Sequence, residues 1–446
     1  MAEPQPLQPA SRWETPDLVA GAVALLALLV YSRTMMYHLL PPGMEGARTA
    51  RLVIYFAVYG ATGLLVLSNW RVVLQAMLRE KFVLLLLALA AISSLWSQVP
   101  GTSLEKTVGV TACALFGACL ALRFTWRRQL QLLAAVFALA MTASLAAAVL
   151  LPDMGIMQGL HEGIWRGAFG HKNILGKMLC VSGAVFFALA LQPGARRGWC
   201  LAGFWISLAL LAMACSKASL LSWMLLFLAL GVYLLATGRR RLAITALVSV
   251  ALALGSFTLQ RQFKLLPPII VAEVSDCVAR KADDGSHHCD LLASILASAP
   301  DSVDLNTGEG RLELWGHLAV KIAERPVLGY GLGAFWLGMD GPSAYVWERE
   351  PWHPTHAHNG YVDLALHLGL LGLGLLLATL FILFLRVLPR IAAGSLDVDT
   401  LGRGAVLGAV LLANIGESSL FAANALLWVL LVATVIGLDS AGGEAA

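Results

Sequence analysis

Charge is what this chain lacks most. Only 13% of its residues are Asp, Glu, Lys or Arg, about half the share usual in soluble domains, which excludes a water-soluble globular profile. Apolar residues reach 59% and come in unbroken runs. They do not alternate with polar ones, so a membrane β-barrel is excluded too. The net charge of +4 comes from cations scattered over loops and not gathered in one stripe, so no nucleic-acid partner is expected. Residues 1–17 are rich in Pro, Gln and Glu and have no basic start, so no cleavable signal peptide is expected. Cysteine is sparse as well. Five of the seven (Cys113, Cys119, Cys180, Cys200, Cys215) fall in or beside apolar runs and read as small packing residues.

What the chain does have is roughly a dozen apolar runs near the length of about 20 residues that a helical bilayer crossing needs. They lie at 18–37, 51–69, 82–96, 107–122, 130–151, 173–191, 199–215, 219–236, 241–259, 360–386, 403–418 and 422–438. Backbone groups in lipid must be satisfied within their own segment, so these runs predict helices. The expected fold class is an all-α polytopic integral membrane protein of about 12 transmembrane helices. Its expected organisation is a tail over 1–17, membrane helices over 18–259, one large loop over 260–358, further membrane helices over 360–438 and a tail over 439–446.

Loop cations set the expected orientation. Arg71, Arg79 and Lys81 follow the second run, and Arg123, Arg127 and Arg128 the fourth. Arg196 and Arg197 follow the sixth, Arg239 to Arg241 the eighth, and Arg386 and Arg390 the tenth. These five even-numbered exits are all basic, which puts those loops and both termini in the cytoplasm. The 260–358 loop then lies outside, in the periplasm of a Gram-negative host, with short amphipathic helices in it. It carries Cys277 and Cys289, and an oxidising compartment permits a bridge between them. Such a bridge would close a loop of about 13 residues, with a stabilisation of roughly 3 kcal/mol.

Against this orientation, four cations stand on the side where positive charge is scarce: Arg166, Lys172, Lys217 and Arg311. Each alone reads as a basic side chain reaching for headgroups. Together, on tight Gly- or Ser-rich turns, they read as an anion site. His171, Asn173 and the open N–H groups where the sixth run begins would add donors. Leu312, Trp315, Leu318, Ala319 and Ile322 recur at helical spacing and predict an amphipathic helix over 311–324 lying on the membrane. Arg325-Pro326 ends it. Gly329-Tyr330-Gly-Leu-Gly333 then predicts close backbone packing beneath the site, its spacing being wrong for a phosphate loop.

His356-Ala-His358-Asn359 stands at the start of the tenth run. A histidine titrating near 6.5 is a natural general base. His358 ranks above His356 because it adjoins the helix, with Asn359 and Asp363 expected to orient its ring. A zinc site of His353, His356 and His358 lacks an evident fourth ligand, so no metal is expected. His287 and His288 read as solvated.

These motifs resemble one family. Arg166-Gly-x-Phe-x-His-Lys-Asn173, Ser216-Lys217, Gly310-Arg311-x3-Trp315, Arg325-Pro326-x2-Gly329-Tyr-Gly331 and His358-Asn359 with Gly369-Leu-Leu-Gly372 are similar to the O-antigen ligase/polymerase superfamily. Glu417-Ser418-Ser419 resembles its exopolysaccharide-polymerase branch. The resemblance spans about 160–440; the earlier helices match in hydropathy alone. It implies a GT-C-like inner-membrane glycosyltransferase, inverting and without metal or cofactor, with its active site facing the periplasm. The implied donor is a glycan on undecaprenyl diphosphate, and the acceptor is another lipid-linked glycan (a polymerase) or lipid A core (a ligase). By position, Arg166 and Arg311 correspond to the diphosphate-binding arginines and His358 to the histidine near the acceptor hydroxyl. His171, Lys172, Asn173, Lys217, Trp315, Tyr330, His356 and Asn359 complete the expected substrate site. The His-Lys-Asn and Glu-Ser-Ser forms lean toward the polymerase. A transporter is the competing class, but polar residues here gather at one face and no half-to-half repeat is visible.

Overall fold

The structure is a computed structural model that describes residues 18–41, 43–158, 162–263 and 309–442; Cys277 and Cys289 lie outside them. Every apolar run of the sequence is a helix in it. In chain order these are α1 (Leu18–Ser32), α2 (Met36–Leu39), α3 (Ala47–Leu67), α4 (Trp70–Arg79), α5 (Lys81–Ile92) and α6 (Pro100–Arg123). They continue with α7 (Trp126–Leu150), α8 (Pro152–Gly155), α9 (Lys172–Leu191), α10 (Arg197–Met213), α11 (Lys217–Ala236) and α12 (Arg240–Phe263). After the gap come α13 (Glu309–Glu324), α14 (Ala344–Trp347), α15 (Gly360–Ala392), α16 (Val398–Gly416) and α17 (Leu426–Gly442). Among the described residues, eight helices are long and apolar enough to cross a membrane, and four shorter apolar ones complete the dozen. The chain is an all-α polytopic membrane protein.

Two elements depart from the sequence reading. The Arg71–Arg79 stretch, expected as a basic loop, is the amphipathic helix α4, with Val73, Ala76 and Met77 buried on one face. The amphipathic helix α13 forms as expected, but its buried face is Leu314 and Leu318 with Trp315 and Ile322, while Leu312 stays exposed. That face packs under Tyr330, Phe335, Val346, Ala357 and Leu366, so α13 rests on a protein cap.

α9 is the centre of the bundle: 89% of its apolar window is buried, against α7, α10, α11 and α16. Lipid supplies little drive for helices to associate, so close approach at small residues carries the packing. Gly183 of α9 lets the Trp223 ring lie where a Cβ would be 2.2 Å from it, and Gly117 of α6 sits against the Val429 carbonyl of α17. α3 and α12 are peripheral, only 17% and 22% buried, and they turn Val53, Phe56, Leu64 and Leu252 outward.

The two ends of the bundle differ in what they gather. At one end Arg127 donates to the carbonyls of Pro193 and Gly194, Gln192 to Asp399, and Arg386 to Glu80, which joins the basic turns. At the other end, side-chain contacts bring together the starts of α9, α11 and α15 and the α16–α17 turn.

Candidate active site

The floor of this second end is a broken helix. α15 is interrupted at Gly369, whose φ of 67° and ψ of −172° are not helical. The backbone groups freed by the break find partners in the 326–331 loop. Tyr330 and Gly331 N–H donate to Leu366 and His367 carbonyls, and Leu370 and Leu371 N–H donate to Pro326 and Val327 carbonyls. Non-helical backbone at membrane depth is tolerated when protein satisfies it in this way. Glycine is required where the strands touch: a Cβ on Gly329 would lie 2.6 Å from the Leu366 oxygen.

α15 starts just above this floor. The Asn359 side chain accepts from Tyr361 and Val362 N–H and so caps the helix. His358, immediately before the cap, has a left-handed φ of 50°, an unfavourable geometry for a residue with a Cβ. The Ser418 hydroxyl accepts from Asn359 N–H, and Asp363 accepts from Ala357 N–H and from the Trp336 indole. The 356–359 turn is therefore held on both flanks. Asn359 and Asp363, expected to orient His358, spend their acceptors on the backbone and on Trp336 instead.

Glu417 contacts the ring in their place. Its Oε1 accepts from His358 Nδ1 at 3.0 Å and from Asn173 Nδ2 at 2.9 Å, with Arg311 Nη2 3.8 Å away. The Glu417 side chain is 6% exposed and that of Arg311 29%. Burial by itself would raise the carboxyl pKa, but the His358 hydrogen bond, Lys177 and the histidines outweigh it. The carboxyl is held well below the usual carboxylate range, so Glu417 is an anion at any physiological pH. Lys177, buried on α9, hydrogen-bonds Ser419 of the same turn.

The expected residues then divide into two groups. His171, Lys172, Asn173, Lys217, Arg311, His356, His358 and Asn359 come together around Glu417. Lys172 lies within electrostatic reach of Lys217 and Arg311, and Asn173 Oδ1 accepts from Ser216. His171 caps α9 by accepting from Asn173 N–H, and burial lowers its pKa. Burial, then the neighbouring His358, pushes His356 down to about 4, so His356 is neutral near pH 7 and accepts from His358 N–H. The two rings are 4.0 Å apart.

Trp315, Tyr330 and Arg166 stand apart from that cluster. The Trp315 indole donates to the Ala357 carbonyl and props the histidine turn. The Tyr330 hydroxyl donates to Lys321 O and Glu324, away from His358. Arg166 donates to the carbonyls of Met154 and Asp153 and lies over the Tyr37 ring of α2. This spends two guanidinium nitrogens and leaves Nη1 without an assigned partner among the described residues. Sequence reasoning quoted Glu417 only as part of a resemblance. A lone carboxylate at the end of an apolar helix was the available signal, since ionisable groups there need a partner.

His356, His358 and Glu417 each turn one ligand atom to within 4.8 Å of the others, a set able to hold a divalent ion. An ion there would have to break the His358–Glu417 hydrogen bond beside the Arg311 guanidinium. Treatment with a chelator should therefore leave the activity of the purified protein unchanged. Loss on chelation and recovery on adding back zinc or magnesium would place a working ion on these three residues.

Part of the chain is similar to known proteins. Residues 202–377 match the family model described as O-Antigen ligase, a stretch that includes Lys217, Arg311, His356 and His358. A Rickettsia felis protein named "Putative polysaccharide ligase" is 27% identical over 192 residues, 39% of this chain and 45% of its own length. A Rickettsia conorii protein of the same name is 36% identical over 95 residues, 21% of this chain and 22% of its own length. The matches thus span less than half the length of these curated relatives. Over residues 202–377 this chain of twelve apolar helices is thus similar to the O-antigen ligase family, and over shorter stretches to polysaccharide ligases.

Proposed function

We propose that the chain is a metal-independent, inverting glycosyltransferase of the O-antigen-ligase type. It passes a glycan from undecaprenyl diphosphate to a sugar hydroxyl at the periplasmic face of the bacterial inner membrane. The observation that carries this reading is the His358–Glu417 pair standing beside the cations Arg311, Lys172 and Lys217. A diphosphate is a good leaving group once its developing charge is met by fixed cations. The acceptor hydroxyl oxygen forms the new bond to the anomeric carbon. The old carbon–oxygen bond breaks with its electron pair on the diphosphate, and the hydroxyl proton passes to His358 Nε2. Lipid linkage fits the surroundings of Arg166. α2, whose Tyr37 lies beneath that guanidinium, also walls an apolar groove of about 900 Å³ lined by Leu29, Met36, Leu39, Ala50 and Val53.

The names of the relatives favour a ligase, for which lipid A core would be the acceptor, whereas Glu417-Ser418-Ser419 favours joining lipid-linked repeats to one another. Glycans extracted from a deletion strain separate the two. Accumulated single lipid-linked repeats identify a polymerase, and long chains left on the lipid identify a ligase. Unaltered surface and lipid-linked glycans would overturn the proposal.

A further inference from the structure

We infer that Glu417 is the positioning residue of this site: one carboxylate oxygen fixes the His358 ring and registers Asn173 and Arg311 against it. The inference rests on the reading of His358 as the proton acceptor and deepens it. A neutral imidazole carries its proton on either nitrogen, and the partner of one nitrogen decides the role of the other. Glu417 is anionic and only accepts, so the nitrogen 3.0 Å from Oε1 must be Nδ1–H. Nε2 is then left unprotonated, as the proton acceptor needs. A base oriented by a third group is the general logic of activated nucleophiles, reached here in a membrane bundle across 59 residues of sequence.

The same Oε1 also explains the donor side. Asn173 reaches it through Nδ2 while its Oδ1 accepts from Ser216, so the α9 and α11 starts are tied to the histidine turn. Arg311 stands at 3.8 Å, outside hydrogen-bond range, so its fork is aimed by charge but left available to a diphosphate. Its Nη1 lies 3.5 Å from where a Cβ on Gly416 would sit, and that glycine is needed for the closer approach of Ala218 at the start of α11. The other charged or titratable groups facing the pair are His356, His171 and Lys177, with Asp363 facing His356.

The test uses the full chain in lipid nanodiscs with lipid-linked glycan from the host membrane as donor. Glu417→Gln should lower kcat about 10²–10⁴-fold, the range seen when such an orienting carboxylate is neutralised, with donor KM changed no more than a few-fold. Glu417→Asp should recover part of the rate. Nitrogen NMR on histidine-labelled protein should show the Nδ1–H form of His358 in the wild type and a mixture or the opposite form in Glu417→Gln. A folded Glu417→Gln protein with wild-type kcat and an unchanged tautomer would overturn the inference. If His358→Gln also kept full rate, the proton-acceptor reading would fall instead, and the NMR result would still report whether Glu417 holds the ring.

Discussion

Arg311→Lys should cost glycan transfer about 10²–10³ in rate, the loss expected when one fixed stabiliser of transition-state charge is removed. A lysine would keep the charge but not the planar fork that meets a diphosphate with two parallel hydrogen bonds. Arg311 lies in the first turn of α13 and, among the described residues, the ion pair it makes is its distant approach to Glu417, so the folded chain has little to lose. The melting temperature of Arg311→Lys should match the wild type. Arg166→Lys should behave differently. Its guanidinium braces the carbonyls of Asp153 and Met154, so the variant should lose both rate and melting temperature. Transfer assays with normalised expression, read beside thermal unfolding, separate the two. Wild-type turnover in Arg311→Lys would remove Arg311 from the donor site, and an unchanged melting point in Arg166→Lys would mean that the brace carries no stability.

How much of this could be read from the sequence depended on the range over which each feature is encoded. Hydropathy is local, so all twelve membrane runs were visible, and α13 was visible from Trp315, Leu318 and Ile322. α4 was missed because Arg71 and Arg79 drew attention to charge, while Val73, Ala76 and Met77 make a stripe too short to stand out. The partner of His358 was sought one and five residues away, at Asn359 and Asp363, because chain neighbourhood and helical spacing are the only proximity that a sequence displays. Its actual partner follows a different helix, and the capping demand of α15 had already taken the Asn359 oxygen. Convergence of the Asn173, Lys217, Arg311 and His358 segments was inferred from their common side of the membrane, which is a statement about depth and not about distance. The break in α15 was hidden for another reason. Gly369-Leu-Leu-Gly372 is as apolar as the helix around it, so no change in hydropathy marks the point where the backbone turns.

Gly369→Ala should abolish the stable fold of the end that carries the candidate site. At this glycine the backbone sits at φ 67° and ψ −172°, a region essentially reserved for glycine that costs a residue with a Cβ about 1–3 kcal/mol. The steric term is larger. An added Cβ would lie 2.1 Å from the Val327 oxygen and 2.3 Å from its carbonyl carbon, and backbone cannot swing aside as a flexible side chain can. Relief would require the 326–331 loop to leave the helix break, which undoes the four hydrogen bonds from Tyr330, Gly331, Leu370 and Leu371. Each is worth about 0.5–1.5 kcal/mol when exchanged for water and more where no water reaches. The expected cost is thus several kcal/mol, a large share of the ~5–15 kcal/mol that holds a typical domain together. The same loop carries Tyr330 and leads directly into Phe335 and Trp336 beneath the histidine turn, so activity should vanish together with the fold. Gly374→Ala is the control: a Cβ there meets nothing within 4 Å, and alanine in a helix gains up to about 1 kcal/mol over glycine. Thermal unfolding and size-exclusion profiles of the two solubilised variants should show Gly374→Ala at or above the wild-type melting temperature. Gly369→Ala should be aggregated or melt far below it. A Gly369→Ala protein that melted with the wild type would mean that the loop and the helix break do not hold each other as described.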